Sequence, residues 1–403
     1  MAAEQEAFDE RLRDPLPGAE LERRWAAARA AMRAAGLDAL VVQGVNNYSG
    51  GGYFRWFTDS PAPAANPRTV LFPLEGLMTV VEQGPMGAER TFDGKSAPHR
   101  GVGKRCYTPS YPSVVYTGSY DADLVAREIR AAGYRTVGFV AGMTTYHSFG
   151  ERLKEQLKDC RLVEATALID KLKCVKSPVE LELVRRTAAM QDEVMQRVLE
   201  HLRPGMHDYE VAAYAQYQGQ LLGSDQGIFL CSSAPEGKPV GSKPPIEQGR
   251  QLRKGDWFKL LVENSGPGGY YTELSRVMVL GKASEEQKDA HAFALEAQQD
   301  TVRRYRPGKP CREVFAEYAE FMTSRGLPVD RRVYSHGQGY DLVERPLIRH
   351  DEDMVIEPNM YFACHPGYVN ERVYSGICDN FLVGPGGAIE RLHKMPQQIF
   401  ELG

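Results

Sequence analysis

Two histidines in different settings offer the first chemistry. His336 sits in a glycine-rich run, Tyr-Ser-His-Gly-Gln-Gly-Tyr-Asp-Leu-Val-Glu-Arg-Pro over residues 334–346. His365 closes an apolar run, Ile-Glu-Pro-Asn-Met-Tyr-Phe-Ala-Cys-His-Pro over residues 356–366. A histidine in a glycine-rich turn, with a second histidine and an acid on later strand-like segments, brings metal-binding groups from distant positions to one place. Metal binding is the opening expectation.

Composition bounds what can carry such a site. A chain of 403 residues with 42% hydrophobic residues can bury a large core, and its length favours two domains over one. The net charge of -4, with both signs interspersed, gives no reason to expect nucleic acid or an anionic membrane as partner. No apolar run approaches membrane-spanning length, and the opening Met-Ala-Ala-Glu-Gln-Glu-Ala lacks the basic and apolar regions of a secretory signal. A cytoplasmic location is expected. The seven cysteines are scattered, odd in number and free of CxxC spacing, which points to reduced core thiols rather than a disulfide framework or a zinc ribbon.

Elements that must position the site follow from pattern. Residues 1–18 are polar, end in Pro-Leu-Pro-Gly and read as an arm. Helix propensity predicts a helix over 21–35 closed by Gly36, and helices are also expected over 122–132 and 146–157. Strands are expected over 39–43, 70–73, 76–82 and 136–140, and this alternation predicts an α/β domain over 19–172. The stretch 46–57, Asn-Asn-Tyr-Ser-Gly-Gly-Gly-Tyr-Phe-Arg-Trp-Phe, reads either as a loop pinned by its aromatics or as a lid carrying Trp56 to substrate. A boundary falls near residue 173. Ser177, Pro178 and Glu180 form a helix-start signal for a long helix to about residue 202. Helices over 208–222, 284–303 and 311–325 and strands over 257–262, 277–280 and 361–364 complete a domain over 173–403.

At this point a family resemblance is visible. The second half resembles the catalytic domain of the creatinase, prolidase and methionine aminopeptidase superfamily, the α+β pita-bread fold, and the first half resembles the α/β N-terminal domain of creatinase and aminopeptidase P. The marks that carry it include Leu-Ile-Asp-Lys-Leu-Lys-Cys-Val-Lys-Ser-Pro-Val-Glu over 168–180 and Arg-Gln-Leu-Arg-Lys-Gly-Asp over 250–256. They continue with Gly-Tyr-Tyr-Thr-Glu-Leu-Ser-Arg over 269–276, His-Gly-Gln-Gly over 336–339 and the closing Pro-Gln-Gln-Ile-Phe-Glu-Leu over 396–402. The resemblance implies a metal site whose positions fall on Glu273, His336, His365 and Asp379. The fifth falls on Glu263 or, counted without a gap, on Val262; Glu263 faces the site only if a bulge or a shortened loop restores its direction. Two imidazoles and two carboxylates suit one divalent ion, Zn, Fe or Mn, rather than two. The alternative is a former site whose polar residues only bond one another, as in metal-free creatinase.

The departures from the family bear on chemistry. Family peptidases carry a proton-shuttling histidine before the Arg-x-Leu-x-x-Gly-Asp motif, yet residues 208–290 contain none, and Gly-Ser-Lys-Pro-Pro over 241–245 occupies that region. A second family histidine is replaced by Val343. Since histidine is the side chain best matched to proton transfer near neutral pH, ordinary Xaa-Pro cleavage is doubtful on this reading. The run from His336 to Gly339 and on through Glu-Arg-Pro-Leu-Ile over 344–348 is similar to that of the superfamily's dimethylsulfoniopropionate lyase. Beside the expected ligands, Tyr271, Asp341 and Glu344 are candidates for catalysis, and Tyr270, Arg345 and Trp56 for substrate binding; each has a purely structural alternative. The leading expectation is a metal-dependent enzyme that cleaves a C–N or other C–heteroatom bond of a small molecule by hydrolysis or elimination. The alternatives are an Xaa-Pro dipeptidase or aminopeptidase with an atypical site, and a non-enzymatic binding module. The resemblance also implies a homodimer.

Overall fold

The computed structural model describes residues 12–330 and 332–403; the first eleven residues of the expected arm lie outside them. The chain divides into two compact units, Met1–Lys173 and Cys174–Gly403.

The first unit is a seven-stranded mixed sheet with helices packed on it. Helix α1 (Gly18–Ala35) ends at Gly36, whose φ of 64° lets its N–H and that of Leu37 turn back to the carbonyls of Arg33 and Met32. The strands β1 (Ala39–Gly44), β2 (Arg68–Pro73), β3 (Met78–Gln83), β4 (Glu89–Thr91), β5 (Val102–Thr108), β6 (Thr136–Val140) and β7 (Arg161–Glu164) run in the order β4-β5-β3-β2-β1-β6-β7. Apolar side chains of β1, β2 and β6 pack with Val125, Ile129, Phe149 and Leu153 from α3 (Tyr120–Ala132) and α4 (His147–Gln156). Within the aromatic stretch 46–57, the residues from Gly52 form helix α2 (Gly52–Thr58) with Phe54, Trp56 and Phe57 buried, while Tyr48 before it is exposed. Trp56 packs edge-on to Phe57 and near the Arg24 guanidinium, so its ring belongs to a core and not to a substrate surface. A last helix, α5 (Thr166–Lys173), ends the unit.

The second unit starts where the sequence signals a helix. Helix α6 (Pro178–His201) is capped by Ser177, whose side chain accepts from the Glu180 N–H while Glu180 accepts from the Ser177 N–H. It packs with α7 (Asp208–Leu221) on a four-stranded sheet of order β18-β10-β9-β8, where β8 is Gly227–Ala234, β9 Trp257–Ser265, β10 Tyr271–Val279 and β18 Phe400–Glu401. Helices α8 (Glu285–Arg303) and α9 (Cys311–Thr323) pack on a five-stranded sheet ordered β12-β11-β13-β16-β17. Its strands are β11 (Ser335–Gly337), β12 (Glu344–Leu347), β13 (Tyr361–Cys364), β16 (Asp379–Val383) and β17 (Ile389–Arg391), and β14 (Gly367–Val369) with β15 (Tyr374–Gly376) forms a hairpin. The two sheets meet where Ser275 and Cys378 exchange backbone hydrogen bonds. Strand β10 begins six residues before the expected 277, because buried Glu273, Ser275 and Arg276 interrupt the apolar pattern that marks a strand. Among the described residues no helix is long and apolar enough to cross a membrane.

Candidate metal centre

The site begins with the register of one hairpin. Strands β9 and β10 pair antiparallel with Glu263 opposite Glu273, Leu261 opposite Ser275 and Lys259 opposite Val277, without a shift. Directly opposed residues share a face, and alternation adds Lys259 and Leu261 to it. Val262 and Leu274 take the other face and enter the core. The direct pairing therefore brings Glu263 to the side of Glu273, and no bulge is needed. Both line a cavity of about 520 Å³ whose other walls include His336, His365, Leu342, Val343 and Ile377.

His336 is presented by β11, where the register with β12 shifts between His336 and Gly337. His365 follows β13, its N–H bound to the Tyr334 carbonyl at 2.8 Å. One donor atom each from Glu273, His336 and His365 come together within 4.8 Å of one another. The His336 Nδ1 lies 3.0 Å from the Gly337 carbonyl, which can only accept, so the neutral ring carries its proton there and turns the Nε2 lone pair toward Glu273 Oε2 at 3.6 Å. A ligand tautomer fixed by a backbone carbonyl is what a metal-binding imidazole requires. Burial pushes the Glu273 carboxyl up, whereas positive charge beside it, from His365 and His336 when protonated, holds it low. Burial, and then the neighbouring Glu273 charge, drive the Glu263 carboxyl well above its usual range. Burial also lowers the His365 imidazole, keeping it in the neutral form that can ligate. This donor set fits one divalent cation. A second triplet, Glu89, Cys106 and Glu128, does not: its acids are ion-paired with Lys104 and Arg127, and burial pushes its thiol up to about 11.

Behind the two glutamates runs a chain of amides. Gln338 Nε2 donates to Glu263 Oε1 at 2.8 Å, and Asn380 Nδ2 donates to Gln338 Oε1 at 2.7 Å. The Glu273 N–H donates to Asn380 Oδ1 at 2.7 Å. The Asn380 N–H in turn donates to His393 Nδ1, and His393 Nε2 lies 3.0 Å from Gln191 Oε1. The His393 tautomer is thus fixed with its proton on Nε2, and burial lowers its pKa to about 4. Gln338 and Asn380 lie within the motifs that carry the expected ligands, whereas Gln191 and His393 come from remote segments with no local signal.

Several expected site residues have other tasks. Asp379 does not join the cluster. Its carboxylate faces the fully buried Arg276 at 2.7 Å, with Arg391 at 3.3 Å and Gln397 at 2.9 Å on its two oxygens. Tyr270 donates to Glu180 at 2.8 Å, fastening the β9–β10 connection to the cap of α6. Glu344 closes its own turn by accepting from the N–H groups of Tyr340 and Asp341 and from Lys176 Nζ. Asp341 is buried in that turn. Arg345 is paired with Glu352, which also caps the N–H groups of Leu347 and Met354. Tyr271 shares a face of β10 with Glu273, but it is buried between the Gly339 and Tyr361 contacts of its backbone. None of these lines the cavity.

The cavity instead holds groups that sequence reasoning passed over. Lys259 is 4% exposed in the apolar first half of β9, and its Nζ donates to Ser242 Oγ at 2.8 Å and to the Tyr374 hydroxyl at 3.0 Å. Its signal was a lone lysine at the alternation position of Glu263. Ser242 comes from the 241–245 segment that stands in the region of the missing family histidine.

Residues 182–387 match the model of metallopeptidase family M24, and residues 24–175 match that of the creatinase/prolidase N-terminal domain. The chain is 25% identical over 274 residues to the uncharacterized peptidase YqhT of Bacillus subtilis, covering 65% of this chain and 74% of that protein. It is also 25% identical over 264 residues to the Xaa-Pro dipeptidase of Pyrococcus furiosus, covering 64% and 73%. The X-Pro aminopeptidase of Thermotoga maritima superposes with a TM-score of 0.78 over 94% of this chain and 99% of that one, at 16% identity, a likeness of fold. With its family model spanning half of the sequence and a creatinase-type domain in front, the chain belongs to metallopeptidase family M24.

Proposed function

We propose that this chain is a metal-dependent hydrolase that cleaves the amide bond of a small, peptide-like substrate at a one-metal site. The observation that carries the reading is the convergence of Glu273, His336 and His365 on one point within 4.8 Å at the floor of a cavity of about 520 Å³. The names of relatives as peptidases and Xaa-Pro dipeptidases support amide hydrolysis over elimination. The reading therefore moves from the leading expectation toward its peptidase alternative.

Glu273, His336 and His365 would hold the ion, with Glu263 beside them; Zn, Fe and Mn all suit such a donor set. When bound, a divalent cation supplies Lewis acidity toward the substrate's carbonyl oxygen. The remaining work falls to the chain. Glu263, held at Oε1 by Gln338, is the carboxyl placed to take and return a proton beside the cluster, a task that histidines perform in the family. Leu261, Leu342 and Ile377 give the cavity apolar walls that limit water around the reacting group. Val343 and Ser242 stand where family histidines are missing, which favours a second reading, hydrolysis of a non-peptide C–N bond at the same site.

The test is release of free amine from a panel of dipeptides, Xaa-Pro among them, and of simple N-acyl amides. Wild type loaded with Zn, Mn or Fe(II) is compared with His336→Ala. Turnover abolished in the variant supports the proposal. A loaded wild type that cleaves no amide of the panel refutes it.

A further inference from the structure

Lys259 presents a buried charge to the cavity. It is 4% exposed, lines the cavity and forms no ion pair among the described residues. Its partners are two neutral hydroxyls, Ser242 Oγ and Tyr374 OH, and the Tyr374 ring, whose centroid lies 4.6 Å from Nζ. Hydroxyls and a ring face stabilise an ammonium only partly, and burying one without an anion costs several kcal/mol. An apolar side chain at this point of the strand would be cheaper, as the neighbouring Leu261 illustrates. The ammonium has three donors, of which two are used by those hydroxyls.

The position relative to the cluster suits one end of a substrate. Lys259 and Glu263 lie four residues apart on one face of β9, roughly 13 Å between Cα atoms at ~3.3 Å per residue. Leu261 and Ser275 floor the space between them. Both ends thus belong to one cavity, with donor groups for a metal at one and the Lys259 ammonium at the other; Arg332 also lines it, and its charge acts on Glu263 and His365.

We propose that Lys259, together with the hydroxyls of Ser242 and Tyr374, anchors a carboxylate of the substrate. One ammonium flanked by two hydroxyls matches the single charge and two oxygens of a carboxylate; a dianionic phosphate would call for more cations. The substrate class is therefore an amide that carries a free carboxylate on the side directed to β15, such as a dipeptide with an unblocked C-terminus. The inference rests on the hydrolase reading for its reaction and on Lys259 alone for its anion.

The experiment is calorimetric binding of L-proline, N-acetylglycine, their C-terminal amides and inorganic phosphate. The full-length, metal-loaded wild type is compared with Lys259→Met, Lys259→Arg and Tyr374→Phe. The expected result is that wild type binds at least one acid tenfold or more tighter than its amide. That preference is lost in Lys259→Met, partly kept in Lys259→Arg and weakened in Tyr374→Phe. A wild type that binds no acid over its amide overturns the anchor, even if amides are hydrolysed. So does a Lys259→Met variant that keeps the preference, which is the result if the acid binds the metal alone or if the lysine only props Tyr374. Phosphate that displaces the acids at lower concentration overturns the choice of carboxylate. Acid binding through Lys259 without turnover leaves the anchor standing and removes the hydrolase reading.

Discussion

Replacing Asp379 by alanine distinguishes an ion-pair partner from a metal ligand. Arg276 and Asp379 are both fully buried, and removal of the carboxylate leaves the guanidinium facing the carbonyls of Ser275, Cys378, Met395 and Pro396 alone. Arg391 and Gln397 each lose one acceptor in the same step and keep the Met395 carbonyl and Gln298 Oε1. Stranding one member of a buried pair costs about 3–5 kcal/mol. For a unit of this size each kcal/mol moves Tm by about 2–4 °C, so a fall of roughly 6–20 °C is expected. Differential scanning calorimetry reads the shift, and elemental analysis of the same sample reads the metal. The account expects a large loss of Tm with the metal retained in the folded protein. A Tm within about 2 °C of wild type, accompanied by loss of the metal, would refute the reasoning and return Asp379 to the ligand set.

Other contacts give further expectations. His393 has its pKa lowered from 6.5 to about 4, so the fold favours the neutral ring. Stability is full above about pH 6.5 and is lost as pH falls through 4, by at most about 3 kcal/mol, a slope that urea melts across this range should show and that His393→Gln should flatten. Trp56→Ala should lower the stability of the first unit by about 3–5 kcal/mol, since it empties a core position, and should leave KM unchanged; a raised KM at unchanged stability would restore the lid reading. Gly339→Ala would set a Cβ 2.2 Å from the Glu344 carboxylate, so it should destabilise by about 1–3 kcal/mol in thermal melts, whereas a neutral effect would show that the turn adapts freely.

Much of the fold was legible because its signals are local. The capping residues Ser177 and Glu180 and the stop at Gly36 are read from a few adjacent positions, and the structure uses them in that way. Strand β8 escaped notice because Ser232 and Ser233 dilute its apolar pattern, although β9 pairs with it throughout. At the site, the family motifs located the stretches but not the direction of each side chain. Glu344 and Arg345 sit near His336 in sequence, yet both are committed to turn and loop contacts a few residues away. The resemblance put Asp379 at a ligand position, but its carboxylate is taken by Arg276, a residue of another strand that no spacing rule connects to it. The orientation of Glu263 depended on a single residue of loop length, and the observed pairing with Glu273 decided it. Lys259 was invisible as a functional group because one lysine within Trp-Phe-Lys-Leu-Leu-Val reads as an interruption of a strand; only the cavity on its face gives it meaning.

The most direct test of the one-metal account is elemental analysis of the purified protein, freed of loosely bound ions, beside His365→Ala. The account predicts about one divalent ion per chain in wild type and none in the variant. Two ions per chain, or an unchanged content in the variant, would contradict it.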